Sequence, residues 1–292
     1  MCDEDTVIEG NSYLAQESKM GRRDFNKLAV GAAAILMLPP VANALEVVGR
    51  DVMVNTPDGD ADCYFVHPAK GKHPGVIIWP DILGLRPAFR LMGERLAKSG
   101  YAVLVVNPYY RSARSPVIEP GASFQDAKTR NRVMPYYRAL SAETNVTDAK
   151  AYVAYLDAQN AVDVKRKIGT TGYCMGGPMV MRTAAALPER IGAGGSFHGS
   201  GLVTNDAESP HLLIKNMQAD LLIAVAANDD ERAPNDKEVL RKTAAKYGLK
   251  AEIEVYEGAM HGWCPPDSRV YHEKQAEQAW VRLLHTFENA LG

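Results

Sequence analysis

Nowhere in this 292-residue sequence does an apolar run reach the roughly 20 residues that a membrane-spanning helix requires. Runs of five or six basic residues are also missing, and the formal net charge is only -2. The mature chain therefore offers no electrostatic footprint for nucleic acid or an anionic membrane and no segment for stable membrane insertion. No Pro/Ser/Gly-rich linker and no internal repeat divides the chain, which reads as one domain behind a leader. Cysteine is scarce, four residues in all, with no C-x-x-C and no Cys/His cluster at metal-ligand spacing, which excludes a structural zinc site. Aromatic content is modest at 8%, while 46% of residues are apolar, the balance of an ordinary globular protein. The partner these absences leave is a small molecule.

What is present begins with a leader. Gly21-Arg22-Arg23-Asp24-Phe25-Asn26-Lys27 runs directly into the apolar stretch 28–38, then Pro39-Pro40 and the small-residue site Ala42-Asn43-Ala44. Paired arginines, a short apolar core and an A-x-A site together read as a twin-arginine export signal over residues 1–44. The expectation is a periplasmic or otherwise exported protein, a twin-arginine translocase as partner during export, and a mature chain starting near Leu45. Cys2 falls in the leader, leaving Cys63, Cys174 and Cys264; an odd number in an oxidising compartment implies at least one unpaired thiol.

The mature chain opens with two strands, 47–56 and 61–66, joined by Pro57-Asp58-Gly59-Asp60, a hairpin signal. From His73 onward, short continuous apolar runs alternate with helical periodicity. Strands are expected at 75–79, 102–106, 168–172, 193–197, 221–226 and 251–256, with helices at 88–98, 147–156, 176–186, 236–247 and 273–291. The alternation predicts an α/β fold: a doubly wound, mostly parallel sheet with an N-terminal antiparallel edge hairpin. Ligands bind such sheets outside the carboxyl ends of the strands.

Three segments there carry chemistry. Gly172-Tyr173-Cys174-Met175-Gly176-Gly177 follows a buried strand and precedes an Ala-rich helix. It is a nucleophile elbow with sulfur at its apex, and the glycines two before and two after Cys174 let strand and helix approach closely. The start of a helix also favours thiolate over thiol. Met260-His261-Gly262-Trp263 lies after the last expected strand, where His261 is placed to take the thiol proton and return it to the leaving oxygen. His198 is the weaker competitor, a residue expected to line the pocket. The acid that orients the imidazole comes from Asn228-Asp229-Asp230-Glu231: counting from the strand end selects Asp229, counting back from Pro234 selects Asp230, and Asp229 is preferred. An oxyanion hole is expected from the backbone amides of Ile82 and Met175. Asp81 is either a carboxylate contacting the thiol or a helix N-cap.

Trp79-Pro80-Asp81-Ile82-Leu83-Gly84, the G-Y-C-x-G-G segment, the Asp229 loop and Met260-His261-Gly262-Trp263 together resemble the dienelactone hydrolase (carboxymethylenebutenolidase) family of α/β-hydrolases. The resemblance covers nearly all of the mature chain and implies an α/β-hydrolase fold, no cofactor, no metal, and cleavage of a small ester or lactone. Family members carry glutamate at the position of Asp81 and an arginine four residues after the histidine, where this chain has Pro265. The resemblance therefore does not carry dienelactone itself over as the substrate. Arg111 and Arg130, in the excursion 108–145 expected to cover the pocket, are alternative carboxylate binders or surface arginines. Two other readings compete: a non-catalytic small-molecule-binding relative, and a redox-active Cys174 with Cys63 or Cys264 as resolving partner.

Overall fold

A computed structural model describes residue 9 and residues 37–292. Arg22, Arg23 and Phe25 of the expected leader and most of its apolar stretch, together with Cys2, lie outside the described residues. No helix among the described residues is long and apolar enough to cross a membrane.

Eight strands form one sheet in the order β1-β2-β4-β3-β5-β6-β7-β8. They are β1 (Val47–Thr56), β2 (Gly59–Pro68), β3 (Gly75–Trp79), β4 (Ala102–Val106), β5 (Ile168–Tyr173), β6 (Ile191–Phe197), β7 (Asp220–Ala226) and β8 (Ala251–Tyr256). β1 pairs antiparallel with β2 and β2 antiparallel with β4. All other neighbours pair parallel, the expected mostly parallel sheet with an antiparallel edge. β3, β4, β5 and β6 are buried along their whole length, as strands covered on both faces must be. The hairpin turn is tighter than expected: Thr56 already pairs with Gly59, leaving Pro57-Asp58 as the tip, and Thr56 Oγ1 closes it by accepting from the Asp58 amide at 3.1 Å.

The helices are α1 (Pro87–Lys98), α2 (Ala127–Arg138), α3 (Ala142–Asp157), α4 (Gly176–Ala186), α5 (Ala227–Arg232), α6 (Asp236–Tyr247) and α7 (Glu273–Leu291), with a 3-10 helix over Pro210–Asn216. One core cluster packs α3, α4 and the 3-10 helix on one face of the sheet, around Trp79, Tyr152 and Ile214. The other packs α1 and α7 on the opposite face, around Phe89, Phe197 and Phe287. Besides the 3-10 helix, two α-helices lie where the sequence predicted none. α2 buries only Thr129 and Val133 and contains Pro135, too narrow an apolar stripe to register as helical periodicity. α5 occupies the segment expected to be a loop. α3 begins five residues before its apolar pattern does, because Ser141 and Thr144 form a capping box with reciprocal 3.0 Å bonds.

The sharpest packing constraint lies where β5 turns into α4. Cys174 at the apex has φ 55, the left-handed region that an L-residue enters only under restraint. A Cβ on Gly172 would overlap the carbonyl oxygen of Gly176, and one on Gly176 would overlap that of Trp79 and lie 2.9 Å from that of Pro80. Backbone cannot yield to such a methyl group as a flexible side chain can. Gly176→Ala is expected to cost about 3 kcal/mol, the upper end for overpacking, as measured by urea unfolding. A loss below about 0.5 kcal/mol, the range of an uninvolved surface site, would show that the turn and the end of β3 are not in this contact.

Candidate active site

The elbow, the segment after β3 and the segments after β7 and β8 converge at the carboxyl end of the sheet. Cys174 is 3% exposed and lines a cleft of about 70 Å³ with Ile82, Phe124, His198, His261 and Asp267. The apex is pinned by its own backbone: the Cys174 amide donates to Phe197 O at 3.0 Å, while its carbonyl accepts from the Gly177 amide at 3.0 Å and the Ser200 amide at 3.3 Å. The sulfur is disulfide-bonded in this structure, so thiolate chemistry belongs to the reduced protein. Cys63 and Cys264 are buried free thiols, so neither is the partner of Cys174, and burial pushes both thiols up, away from the thiolate form.

His261 follows β8 in the loop before α7. Its Nδ1 donates to Asp229 Oδ2 at 2.7 Å, and its backbone amide donates to Asn228 Oδ1 at 2.8 Å. Asp230 does not share that position: Lys237 holds both of its oxygens, at 2.6 and 2.7 Å. Burial alone would raise the Asp229 carboxyl, but the charge and hydrogen bond of His261, with smaller help from Arg232, hold it below the usual carboxylate value. Arg232 donates to Asp229 Oδ1 at 3.2 Å and also meets Glu9, which Asn228 Nδ2 contacts as well.

His198 is buried, at 1% exposure, and has φ 40. It lies edge-on to His261 and to Trp263, with ring centroids 4.9 and 5.0 Å away. Neither of its ring nitrogens has a hydrogen-bond partner among the described residues. Burial first, and then the neighbouring His261, hold its pKa well below the ordinary histidine value, so it remains a neutral wall beside the imidazole that Asp229 orients.

The segment after β3 is held by ionic pairing. Asp81 is not a helix N-cap, since α1 begins at Pro87 with Arg86 as its N-cap. Its Oδ1 accepts from the Leu83 amide at 2.9 Å and from Arg86 Nη1 at 2.6 Å, and its Oδ2 accepts from Arg86 Nη2 at 2.9 Å. The same guanidinium donates through Nε and Nη2 to Asp267 at 2.6 and 2.9 Å, so Arg86 ties the Ile82 segment to the His261 loop. The Asp81 carboxylate is thus committed to Arg86. Neither the Ile82 nor the Met175 amide donates to a backbone carbonyl among the described residues, which leaves both as donors beside the cleft.

The sequence profile of the dienelactone hydrolase family matches residues 61–291. The chain belongs to that family. It is a hydrolase by class, and its relatives agree in extent. A Synechocystis protein provisionally named carboxymethylenebutenolidase is 29% identical over 233 residues, covering 78% of this chain and 91% of the relative. Hydrolase tropI of Talaromyces stipitatus is 27% identical over 207 residues, covering 70% and 76%. The crystal structure of a dienelactone hydrolase from Anabaena variabilis superposes with TM-score 0.60 at 14% identity, covering 84% of this chain and 99% of the other, a likeness of fold.

Within this family fold, the arginines proposed from sequence are taken up internally. Arg111 is bound by Asp58 and Asp148, and Arg130 Nη1 donates to the carbonyls of Phe124 and Gln125 at 3.0 and 2.6 Å. The excursion 108–145 does reach the site: Phe124 lines the small cleft, and Tyr137 lines an adjoining cavity of about 620 Å³ that Met175 and Asp229 also wall. Among the described residues no group of three or more His, Cys, Asp or Glu side chains is arranged to hold a metal ion. The sequence reading missed Arg86 and Asn228. Asn228 is adjacent to Asp229 and Arg86 lies two residues past Gly84, which was the available signal, but the contacts with His261 and Asp267 that give them their place join segments distant in sequence.

The lowered Asp229 carboxyl has a consequence for stability. A carboxyl held below its unfolded-state value, about 3.9, stabilises the fold above that pH, and the contribution is lost as pH falls through the folded value. The unfolding free-energy difference between wild type and Asp229→Asn is therefore expected to be full at neutral pH and to shrink below about pH 4, as followed by urea titration. A difference independent of pH over that range would contradict the ion pair.

Proposed function

We propose that the reduced protein hydrolyses a small carboxylic ester or lactone through a thioester on Cys174. His261 takes the Sγ proton, and the thiolate adds to the carbonyl carbon. The negative charge that develops on the carbonyl oxygen meets the Ile82 and Met175 amides. Collapse breaks the carbon–oxygen bond, and His261 returns its proton to the departing alkoxide, which in a lactone stays tethered as a hydroxyl group. His261 then deprotonates a water, which attacks the thioester and releases the carboxylic acid and the thiol. Throughout, Asp229 fixes the imidazole with Nε2 toward the cleft and stabilises its protonated form. The observation that carries this reading is the 2.7 Å His261–Asp229 bond beside a cleft that His261 shares with Cys174.

The assay is hydrolysis of p-nitrophenyl acetate and a panel of small lactones in reducing buffer. Cys174→Ala is expected to fall to background and Cys174→Ser to retain part of the rate. Asp229→Asn should lose about 10³–10⁴ in kcat, as in a triad whose tautomer is disturbed, while Asp230→Asn stays close to wild type. Equal rates for wild type and Cys174→Ala would refute the mechanism, and a larger loss for Asp230→Asn would reassign the acid.

We also propose that residues 1–44 direct export through the twin-arginine route to the periplasm, on the strength of Arg22-Arg23, Phe25, the apolar stretch and Ala42-Asn43-Ala44. In a Gram-negative host the wild-type chain is expected in the periplasmic fraction with its N-terminus near Leu45, and the double variant Arg22→Lys, Arg23→Lys in the cytoplasm. Cytoplasmic retention of the wild type would remove this assignment and leave the catalytic one untouched.

A further inference from the structure

Tyr109 lies between the two residues assigned to the oxyanion hole. It is 1% exposed, and its hydroxyl lies 2.9 Å from Ile82 O and 3.1 Å from Met175 Sδ. The single phenolic proton donates to the carbonyl oxygen, with the thioether as a weaker second acceptor. The post that carries this hydroxyl is rigid. The Tyr109 amide donates to Asn107 Oδ1 at 3.0 Å. Its carbonyl accepts from the Ser112 and Ala113 amides at 2.7 and 2.8 Å. Asn107 is in turn fixed to Asp62 and to Ala113 O, each at 2.9 Å. The Tyr109 ring also backs the turn that follows Ile82, where Gly84 has φ 75 and its Cβ position lies 3.3 Å from a ring carbon.

We propose that Tyr109 is a positioning residue for the oxyanion hole: by holding the Ile82 carbonyl and bracing Met175, it fixes the direction of the two amides that receive the developing charge. The inference rests on the ester-hydrolase reading above. An oxyanion hole works only if its donors are aimed before the charge forms, so a loosened Ile82 affects the transition state more than bound substrate.

The test compares Tyr109→Phe with Tyr110→Phe in the full chain. Tyr110 is a useful control because its buried hydroxyl also has two partners, Thr56 and Asp148, at 2.7 and 2.8 Å, outside the cleft. Tyr109→Phe is expected to lower kcat for p-nitrophenyl acetate by about 10- to 100-fold, somewhat less than deletion of a donor itself, with KM within about twofold. Its affinity for a trifluoromethyl ketone, which the thiolate converts to an anionic tetrahedral adduct, should fall by a similar factor. Tyr110→Phe should change neither quantity. An active wild type whose Tyr109→Phe variant keeps its kcat overturns this inference alone, as does an equal kcat loss in both variants. A wild type without Cys174-dependent hydrolysis overturns the reading of the site and this inference with it.

Discussion

The cleft depends on how closely the turn between β5 and α4 can approach the end of β3. That approach is a backbone-to-backbone contact, with Gly176 against the Trp79 carbonyl and Gly172 against the Gly176 carbonyl, and only residues without a Cβ permit it. It places Cys174 at the apex with a positive φ and brings the Met175 amide beside the segment that carries Ile82. The strain at Cys174 is held by three backbone hydrogen bonds, one within the turn to Gly177 and two to the segment 197–200. A strained backbone of this kind persists only where its surroundings over-determine it.

Around that turn, two polar assemblies fix the remaining segments. Arg86, whose side chain is 3% exposed, is bonded to Asp81 and Asp267 together. Burial works against its charge, but the two carboxylates outweigh that and keep the guanidinium protonated. Loss of either carboxylate would leave a buried charge underpaired, and breaking a buried pair typically costs about 3–5 kcal/mol. The second assembly is Asn228, Asp229 and His261, in which one side chain holds the histidine backbone and the next holds its ring. His198 adds an uncharged aromatic edge. Its ring nitrogens, unpaired among the described residues, are a cost.

Most of the sheet was legible because buried parallel strands leave continuous apolar runs and their crossover helices leave 3.6-residue periodicity. The strands and helices that carry the site, among them β5 and α4 at the elbow and β8 before the His261 loop, follow from that pattern. α2 was not legible, since only Thr129 and Val133 of its residues are buried. The start of α3 was missed because its capping box uses Thr144 in place of the usual glutamate or glutamine. The segment 227–232 was read as a loop because six residues rich in acidic and amide side chains carry no apolar stripe; it is the helix α5.

The sequence by itself determined the succession of strands, the elbow with Cys174 at its apex and the position of His261 after the last strand, because each depends on local backbone requirements or on periodicity. It left open which of two adjacent aspartates meets the histidine. Tertiary structure decided that: in α5 successive side chains diverge by about 100°, which turns Asp229 toward His261 and Asp230 toward Lys237. It likewise decided the setting of Asp81, whose carboxylate is held by Arg86, and the placement of Tyr109 between Ile82 and Met175. These outcomes depend on the directions of side chains brought together from distant segments, and no local pattern encodes them.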